Sequence, residues 1–271
     1  NGIMRNVTII TGASSGLGKE FAKHLYSIFI KEPINREIWL IARSENNLLT
    51  VKSDLNNTDF LKIRIFAIDI SGTQGSLKFK NLIEEENKKS EFKIEYLINN
   101  AGFGTYGPFE ETPTEKEMEM IELNCVSLTG ICSYSLPYLK RNSNIINVSS
   151  LAAFMPLGNF AVYAASKSYV LSFTIALASE LKDKGIKVSA LCPGSVSTNF
   201  ANIASNGARK EVLHGKDPKK VVKHCIKKAK KGKIIILWAT KWKITAFFSR
   251  IIGRYLVARY TYLYNKRPYL K

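Results

Sequence analysis

The amino-acid sequence predicts an α/β protein with one domain, residues 1–271, built on a doubly wound parallel sheet of about seven strands with helices on both faces. Short runs rich in isoleucine, leucine and valine alternate with longer segments of helical periodicity along most of the chain. This alternation is typical of a parallel sheet that is covered on both sides. The length of 271 residues also suits a single hydrophobic core.

Seven apolar runs are predicted as strands, and they span residues 7–10, 38–41, 63–68, 94–98, 145–148, 186–191 and 234–237. In doubly wound folds the ligand lies beyond the carboxyl ends of the strands, near the point where the strand order reverses. Gly12, Asp69, Asn100 and Ser150 each follow one of these runs within two residues. We therefore expect these four residues to meet at one edge of the sheet.

A glycine-rich turn follows the first predicted strand and precedes the first helical pattern. Glycine lets the backbone approach a pyrophosphate closely, and the N-terminus of a helix supplies free N–H groups and a positive dipole end. The spacing is G-x-x-x-G-x-G, which also occurs in ordinary glycine turns, so the surrounding motifs must decide between the two interpretations. The turn predicts a dinucleotide-binding site formed by Gly12, Ser14, Ser15, Gly16, Leu17 and Gly18.

Three residues in the second half of the chain suit proton transfer to a carbonyl. Tyr163 and Lys167 are one helical turn apart, and Ser150 lies thirteen residues before Tyr163. A ketone that accepts hydride must also gain a proton, which Tyr163 can donate, and the Lys167 cation is expected to lower the phenol pKa from about 10. Ser150 can donate a hydrogen bond to the substrate oxygen, although Ser149 is its immediate competitor.

Together these motifs resemble the classical short-chain dehydrogenase/reductase family. The matching segments appear in the family's order over about residues 5–200: TGASSGLG at 11–18, Asp69, NNAG at 99–102, Asn124, Ser150, Y-x-x-x-K at 163–167 and PGSVST at 193–198. The segment 99–109, NNAGFGTYGPF, resembles a bacterial branch of general short-chain dehydrogenases. The resemblance implies a Rossmann fold and a nicotinamide cofactor.

The family resemblance also assigns roles to individual residues. It implies that Asn124 anchors a water that relays protons to Lys167, and that Lys167 holds the ribose of the nicotinamide. A helix-packing role is the simpler alternative for Asn124. The remaining cofactor contacts implied by the resemblance are Asp69, Ile70, Asn100, Ala101 and Gly102 near the adenosine and Val196 and Thr198 near the nicotinamide amide, together with Tyr163.

The end of the second predicted strand bears on cofactor choice. Relatives that prefer NAD(H) place a carboxylate there to hold the ribose hydroxyls, whereas this chain has Arg43 followed by Ser44. A guanidinium pairs bidentately with phosphate, so Arg43 favours NADP(H) over NAD(H). The alternative is a solvated surface arginine. Ser15 stands where many NADP-using relatives carry a basic residue, which argues against this preference.

The predicted substrate pocket is mostly apolar. The resemblance implies that residues 193–216 cover the substrate, and no cluster of charges in this region offers to bind a small acid. The expected lining is Phe154, Met155, Leu157, Phe160, Phe200, Ile203, Val212 and Leu213. The first hypothesis is a lipid-like or steroid-like ketone and its secondary alcohol. A β-ketoacyl thioester on a carrier is the second, and a membrane-docked binding protein without catalysis is the third.

Positive charge is concentrated at the C-terminal end. The formal net charge is +18, and residues 205–271 hold 19 Lys and Arg against Glu211 and Asp217. Residues 239–271 are predicted as a basic amphipathic extension, with one helix carrying an apolar face from Trp242 to Leu256. This face suits packing on the protein or on another subunit, a peripheral membrane surface, or an acidic carrier protein. Nucleic-acid binding is not expected, because no recognisable module supports it.

The remaining features suggest a cytoplasmic protein, with the membrane surface as an additional location. The four cysteines form no C-x-x-C motif and are predicted to be reduced and buried, and no metal site is expected. The chain has no run of eighteen apolar residues and does not open on a secretory signal, so no spanning helix is expected. The resemblance implies a homodimer or homotetramer formed through the helices at residues 113–140 and 160–182.

Overall fold

The computed structural model describes residues 4–210, 212 and 214–270, which form a Rossmann-type domain around one parallel sheet. The strands are β1 (Arg5–Thr11), β2 (Arg36–Ala42), β3 (Leu61–Ala67), β4 (Phe92–Asn99), β5 (Leu139–Val148), β6 (Lys187–Leu191) and β7 (Ile235–Ile236). Each predicted run overlaps one strand. The strand order in the sheet is β3-β2-β1-β4-β5-β6-β7, so the predicted fold class is confirmed.

Two layers of helices cover the sheet, because neighbouring strand residues point to opposite faces. The α-helices are α1 (Gly16–Phe29), α2 (Glu45–Ser53), α3 (Gly72–Lys89), α4 (Thr114–Ile121), α5 (Leu128–Ser135), α6 (Ala161–Glu180), α7 (Phe200–Ala204), α8 (Pro218–Lys230), α9 (Thr240–Phe248) and α10 (Arg254–Tyr264). Ile10 packs in one core cluster with residues of α1, α2 and α8, whereas Ile9 packs on the other face with residues of α3, α5 and α6.

The order in which the chain adds strands to the sheet reverses between β1 and β4. The chain builds outward from β1 to β3 and then returns to place β4 on the other side of β1. Connections after these two strands leave the sheet in opposite directions, which opens a crevice beyond their carboxyl ends. The candidate site lies in this crevice.

The C-terminal extension differs from its prediction. The single amphipathic helix is wrong, because α9 ends at Phe248 and α10 begins at Arg254. Gly253 is the N-cap of α10 with extended backbone, and glycine disfavours a helix interior. As a result, Phe247 and Ile251 belong to different segments rather than to one continuous helix face.

Of the described helices, α6 has the length and hydropathy of a membrane-crossing segment. Half of that stretch is buried within the protein. Core helices of globular proteins commonly share these properties, so they are weak evidence for a membrane span.

A network of charged residues lies near the amino ends of the first strands. Glu37 is buried and accepts hydrogen bonds from the Trp39 indole at 2.7 Å and from Arg5 at 3.0 Å. Arg64 bridges Glu37 and Glu86. The Arg64 hydrogen bond lowers the pKa of Glu86 to about 2, so this carboxylate stays ionised in the folded protein.

We predict that Glu86→Gln lowers the free energy of unfolding by about 3 kcal/mol at pH 7, because the substitution removes the short ion pair with Arg64 and leaves that charge only its longer contact with Glu37. The folded-state pKa of Glu86 lies below the unfolded value, so its contribution is complete above about pH 4.5 and declines as pH falls toward 2. Urea unfolding of both proteins at pH 7 and pH 3 measures this loss.

The matched control is Glu84→Gln, whose pair with Lys80 is exposed. It should cost less than about 1 kcal/mol. A Glu86→Gln effect that is equally small, or that does not diminish at pH 3, would contradict the prediction.

Candidate active site

Hydrogen bonds attach the glycine turn to the end of β4. The Asn100 amide donates to the carbonyl oxygens of Thr11 and Gly12 at 3.2 and 3.1 Å. The Thr11 hydroxyl accepts from the backbone N–H groups of Asn100 and Ala101, both at 3.1 Å. Gly12 has φ +62°, and a Cβ there would lie 2.9 Å from the Asn100 amide nitrogen. Only glycine therefore fits at position 12.

The turn fits the phosphates of a dinucleotide. Gly16 opens α1 with φ +52°, and the Ser15 side chain makes no capping hydrogen bond to the first turn of the helix. The N–H groups of this turn therefore remain available for an anion. Gly18 is buried, and a Cβ there would collide with the Gly12 carbonyl oxygen. Gly18 thus permits close packing of α1 on the turn, and its contact with a cofactor stays a prediction.

One cavity of about 1380 Å³ unites most of the predicted cofactor and catalytic residues. It extends from the carboxyl end of β2, past the carboxyl ends of β1 and β4, to the amino end of α6. The predicted residues that line it are Gly12, Ser14, Ser15, Gly16, Leu17, Arg43, Asp69, Ile70, Asn100, Ala101, Gly102, Ser150, Tyr163, Lys167, Val196 and Thr198. Gly18 and Asn124 lie behind this lining.

The structure separates the roles of the two neighbouring serines. The Ser149 hydroxyl donates to the backbone carbonyl of Lys167 at 2.8 Å, so it fixes α6 against the end of β5. The Ser150 hydroxyl accepts from the Ala152 N–H at 3.1 Å and lies at the cavity wall beside Tyr163. This arrangement favours Ser150 as the serine that faces a substrate.

Burial controls the protonation of Tyr163 and Lys167. It raises the pKa of the Tyr163 phenol, although a hydrogen bond from Ser150 acts in the opposite direction. It lowers the pKa of Lys167 to about 8. The Lys167 ammonium donates to the Val148 carbonyl at 2.9 Å and lies 5.7 Å from the centroid of the Tyr163 ring. The expected lowering of the Tyr163 pKa by Lys167 is therefore wrong for this arrangement, in which a neutral phenol can donate a proton.

Asn124 lies in a π-helical segment, Glu122–Ser127, that connects α4 directly to α5. Its carbonyl oxygen accepts from the Phe103 N–H at 3.1 Å, and its amide donates to the Phe103 carbonyl at 2.9 Å and to the Ser166 hydroxyl at 3.1 Å. Asn124 thus fixes the loop after β4 against α6. A Cβ on Gly102 would lie 2.7 Å from Asn124 and 3.4 Å from the Lys167 nitrogen. The water relay stays a prediction.

Aromatic rings form the cavity wall around Tyr163. Phe160 stacks on Tyr163 with ring centroids 4.2 Å apart, and Phe200 lies 5.3 Å from Tyr163. Tyr106 contacts the edge of Phe160. A Cβ on Gly104 would approach Tyr163 to 2.8 Å, so the absent side chain makes room for this stack.

The predicted apolar lining is largely found in the cavity. The described residues that contribute are Met155, Leu157, Phe160, Phe200, Ile203 and Val212. Phe154 is an exception, because it packs with Ala153 and Leu171 in a separate cluster behind the wall. Leu213 lies outside the described residues.

The C-terminal segment contributes cavity residues that the sequence analysis missed. They are Lys241, Trp242, Thr245, Thr261, Asn265 and Arg267. The Asn159 amide holds this segment by donating to the carbonyl oxygens of Thr261, Tyr262 and Asn265 at 3.0–3.2 Å. Since Asn159 and Thr261 are about 100 residues apart, no local sequence pattern connects them.

With a dinucleotide-type turn and a buried tyrosine–lysine pair on one cavity, the protein falls into the class of Rossmann-type oxidoreductases. It belongs to the short chain dehydrogenase family, whose model matches residues 6–208. The finer assignment to the bacterial branch suggested by residues 99–109 stays a prediction.

Two curated relatives illustrate the range of similar proteins. An uncharacterized oxidoreductase of Staphylococcus saprophyticus is 28% identical over 222 residues, which cover 81% of this chain and 89% of the relative. A very-long-chain 3-oxoacyl-CoA reductase of Kluyveromyces lactis is 30% identical over 209 residues, which cover 74% of this chain and 58% of that protein.

Solved structures share the fold at lower sequence identity. A short-chain dehydrogenase from Sphingobium yanoikuyae in complex with NADPH has a TM-score of 0.74 and 22% identity, covering 90% of this chain and 94% of that chain. A short chain dehydrogenase/reductase from Burkholderia phymatum in complex with NAD has a TM-score of 0.76 and 21% identity, covering 90% and 92%. These neighbours support a nicotinamide cofactor and leave the choice between NAD(H) and NADP(H) open.

Proposed function

We propose that the protein is an NADP(H)-dependent oxidoreductase that interconverts a hydrophobic ketone and a secondary alcohol. The observation that carries this proposal is the position of Ser150, Tyr163 and Lys167 on the same cavity as the glycine turn. The bound nicotinamide supplies or accepts the hydride. In reduction, Ser150 orients the carbonyl oxygen and the neutral Tyr163 phenol donates the proton to it. The Lys167 ammonium connects α6 to the end of β5 through its hydrogen bond to the Val148 carbonyl.

The apolar and aromatic wall supports a bulky hydrophobic substrate. A second candidate, reduction of a 3-oxoacyl thioester, is favoured by the similarity to the very-long-chain 3-oxoacyl-CoA reductase. Both reactions place a ketone oxygen at Tyr163, so they differ only in what fills the rest of the cavity. A panel that contains 3-oxododecanoyl-CoA and bulky aryl ketones distinguishes them by relative kcat/KM.

The catalytic proposal is tested by Tyr163→Phe. We expect kcat/KM for NADPH-dependent reduction to fall by about 1000-fold, because the substitution removes the proton donor. The dissociation constant for NADPH should change less than threefold. Tyr260→Phe is the matched control, since Tyr260 is exposed on α10 and lies outside the cavity lining. Wild-type protein that binds NADPH but turns over no member of the panel would favour the non-catalytic binding protein instead.

Cofactor preference is proposed to depend on Arg43. This side chain is exposed, lines the cavity after β2 and pairs with no carboxylate within residues 4–210, 212 and 214–270. The neighbouring Ser44 is engaged as the N-cap of α2, where it accepts from the Asn47 N–H. Arg43 is therefore free to pair with a 2′-phosphate.

We predict that Arg43→Ala weakens NADPH binding by about 30-fold, because a charge-assisted hydrogen bond contributes about 2 kcal/mol. NADH binding should change less than threefold. Fluorescence titration with each cofactor measures both constants, and Lys62→Ala on the exposed side of β3 is the control. Equal weakening for the two cofactors would contradict the NADP(H) preference.

We also propose a homodimer or homotetramer formed through α4, α5 and α6. Support comes from the exposed apolar side chains of Met118, Ile121, Tyr169 and Ile175 and from an apolar groove of about 580 Å³ between these helices. Light scattering during size-exclusion chromatography reports the oligomeric state directly.

The basic C-terminal surface is proposed to dock on an anionic membrane from the cytoplasmic side. It consists of the exposed apolar residues Ile244, Phe247, Phe248, Ile251, Ile252, Tyr255 and Leu256 and the exposed cations Lys241, Lys243, Arg250, Arg254 and Arg259. Its inner side faces the cavity through Trp242 and Thr245. Residues 218–271 contain no Asp or Glu. A second copy at this surface would therefore oppose like charges, whereas an anionic bilayer accepts both the cations and the apolar side chains.

Vesicle sedimentation tests this surface. We expect binding to phosphatidylserine-containing vesicles that weakens with salt and falls at least tenfold in the double variant Phe247→Ser/Ile251→Ser, since burying two large apolar side chains contributes about 3 kcal/mol or more. The control is Ile34→Ser/Leu49→Ser, which alters exposed apolar residues elsewhere. Absence of vesicle binding, with capture by an acidic acyl carrier protein, would support the alternative partner.

A further inference from the structure

Arg267 brings a positive charge to the aromatic wall of the substrate cavity. Its guanidinium carbon lies 4.8 Å from the centroid of the Phe160 ring and 5.9 Å from that of Tyr106. Phe160 also stacks on Tyr163. Arg267 is therefore separated from the proton donor by one aromatic ring.

The Arg267 charge has no carboxylate partner among the described residues. Its one hydrogen bond there is a long one, from Nη1 to the Gly158 carbonyl at 3.5 Å. The carboxylates that line the cavity interact with other groups. Glu119 pairs with Lys116 at 2.6 Å. Asp69 accepts a hydrogen bond from the Ser71 N–H at the predicted cofactor end of the cavity. A guanidinium has five N–H donors, so most of its capacity remains unused.

Arg267 is half-buried, and partial burial makes this unpaired charge costly. It lowers the pKa of Arg267, which reflects the loss of hydration around the guanidinium. By contrast, the buried Arg36 has two carboxylate partners, Glu32 and Glu95. A buried cation is usually compensated by such a partner, and Arg267 would gain one from a ligand in the cavity.

The segment around Arg267 is held on both sides. Before it, the Asn159 amide binds three carbonyl oxygens from Thr261 to Asn265. After it, the Leu270 N–H donates to Ser205, and the Asn206 amide donates to Leu270. These contacts fix the backbone on both sides of Arg267 before a ligand arrives, which reduces the entropy cost of binding.

We infer that Arg267 binds a carboxylate of the substrate, so that the preferred substrate is a keto acid with an apolar body. This inference rests on the proposed function and deepens it. Arg209 also lies over the Tyr106 ring, but it is outside the cavity lining, so among the described residues Arg267 alone presents a guanidinium at this end of the cavity. One guanidinium matches the single charge of a carboxylate in a bidentate pair, whereas a phosphate monoester carries nearly two charges. The apolar body would pack on Phe160 and Phe200 while the ketone oxygen reaches Ser150 and Tyr163. Such a site would depart from the expectation that the pocket offers no cluster of charges for a small acid.

The test uses matched acids and esters. The probes are 5-oxo-5-phenylpentanoate, its homologues with one methylene fewer and one more, and the methyl ester of each. With wild-type enzyme and NADPH, we expect at least one acid to exceed its ester in kcat/KM by tenfold or more. Arg267→Met keeps an apolar stem on the aromatic rings and removes the charge. It should reduce kcat/KM for that acid by about 100-fold and for the ester by less than threefold.

Arg141→Met is the matched control, because Arg141 is exposed near the amino end of β5 and lies outside both the cavity lining and the proposed membrane-docking surface. It should leave both substrates unchanged. Calorimetric titration of the acids into enzyme saturated with NADP⁺ adds a binding readout that does not depend on turnover.

Three results would overturn the inference: no acid binds the wild type, no acid is preferred over its ester, or the preference survives in Arg267→Met. Turnover of the esters separates this outcome from the proposed function. If wild-type enzyme reduces the esters and Tyr163→Phe does not, the oxidoreductase stands while the carboxylate site is lost.

Discussion

The attachment of the glycine turn to the end of β4 is the constraint on which the site depends. The Asn100 side chain and the Thr11 hydroxyl connect the carboxyl ends of β1 and β4, the strands between which the strand order reverses. This connection leaves no space for a side chain at Gly12 and keeps the backbone of the turn open toward the cavity. Because α1 begins directly after the turn, the same hydrogen bonds also direct its N-terminus at the phosphate position.

Burial supplies the chemistry of the opposite end of the cavity. It raises the pKa of Tyr163 and lowers that of Lys167, so both groups shift toward their neutral forms. The carbonyl of Val148 and the backbone contacts of Ser149 and Asn124 hold the surrounding elements in register. These hydrogen bonds position Tyr163, although none of them involves its hydroxyl group.

The sequence predicts those parts of the molecule that depend on local pattern. The strands follow from short apolar runs, and the spacing of Tyr163 and Lys167 already places them on one helix face. The shift of the Tyr163 pKa could not be predicted, since burial depends on Phe160 and Phe200 from separate segments. The break at Gly253 was missed because the apolar spacing continues through it. Arg267 was missed because its approach to Phe160 bridges more than 100 residues and depends on the hydrogen bonds of Asn159.

The division of the cavity between two parts of the chain has an evolutionary consequence. The family match ends at residue 208, yet the wall of the cavity includes Thr261, Asn265 and Arg267. The glycine turn, Ser150, Tyr163 and Lys167 lie within the matched region. Under the proposed function, substitutions between residues 254 and 270 would therefore reshape substrate selectivity while the chemistry stays intact. Exchange of this segment between relatives offers a route to new specificity that leaves the catalytic core unaltered.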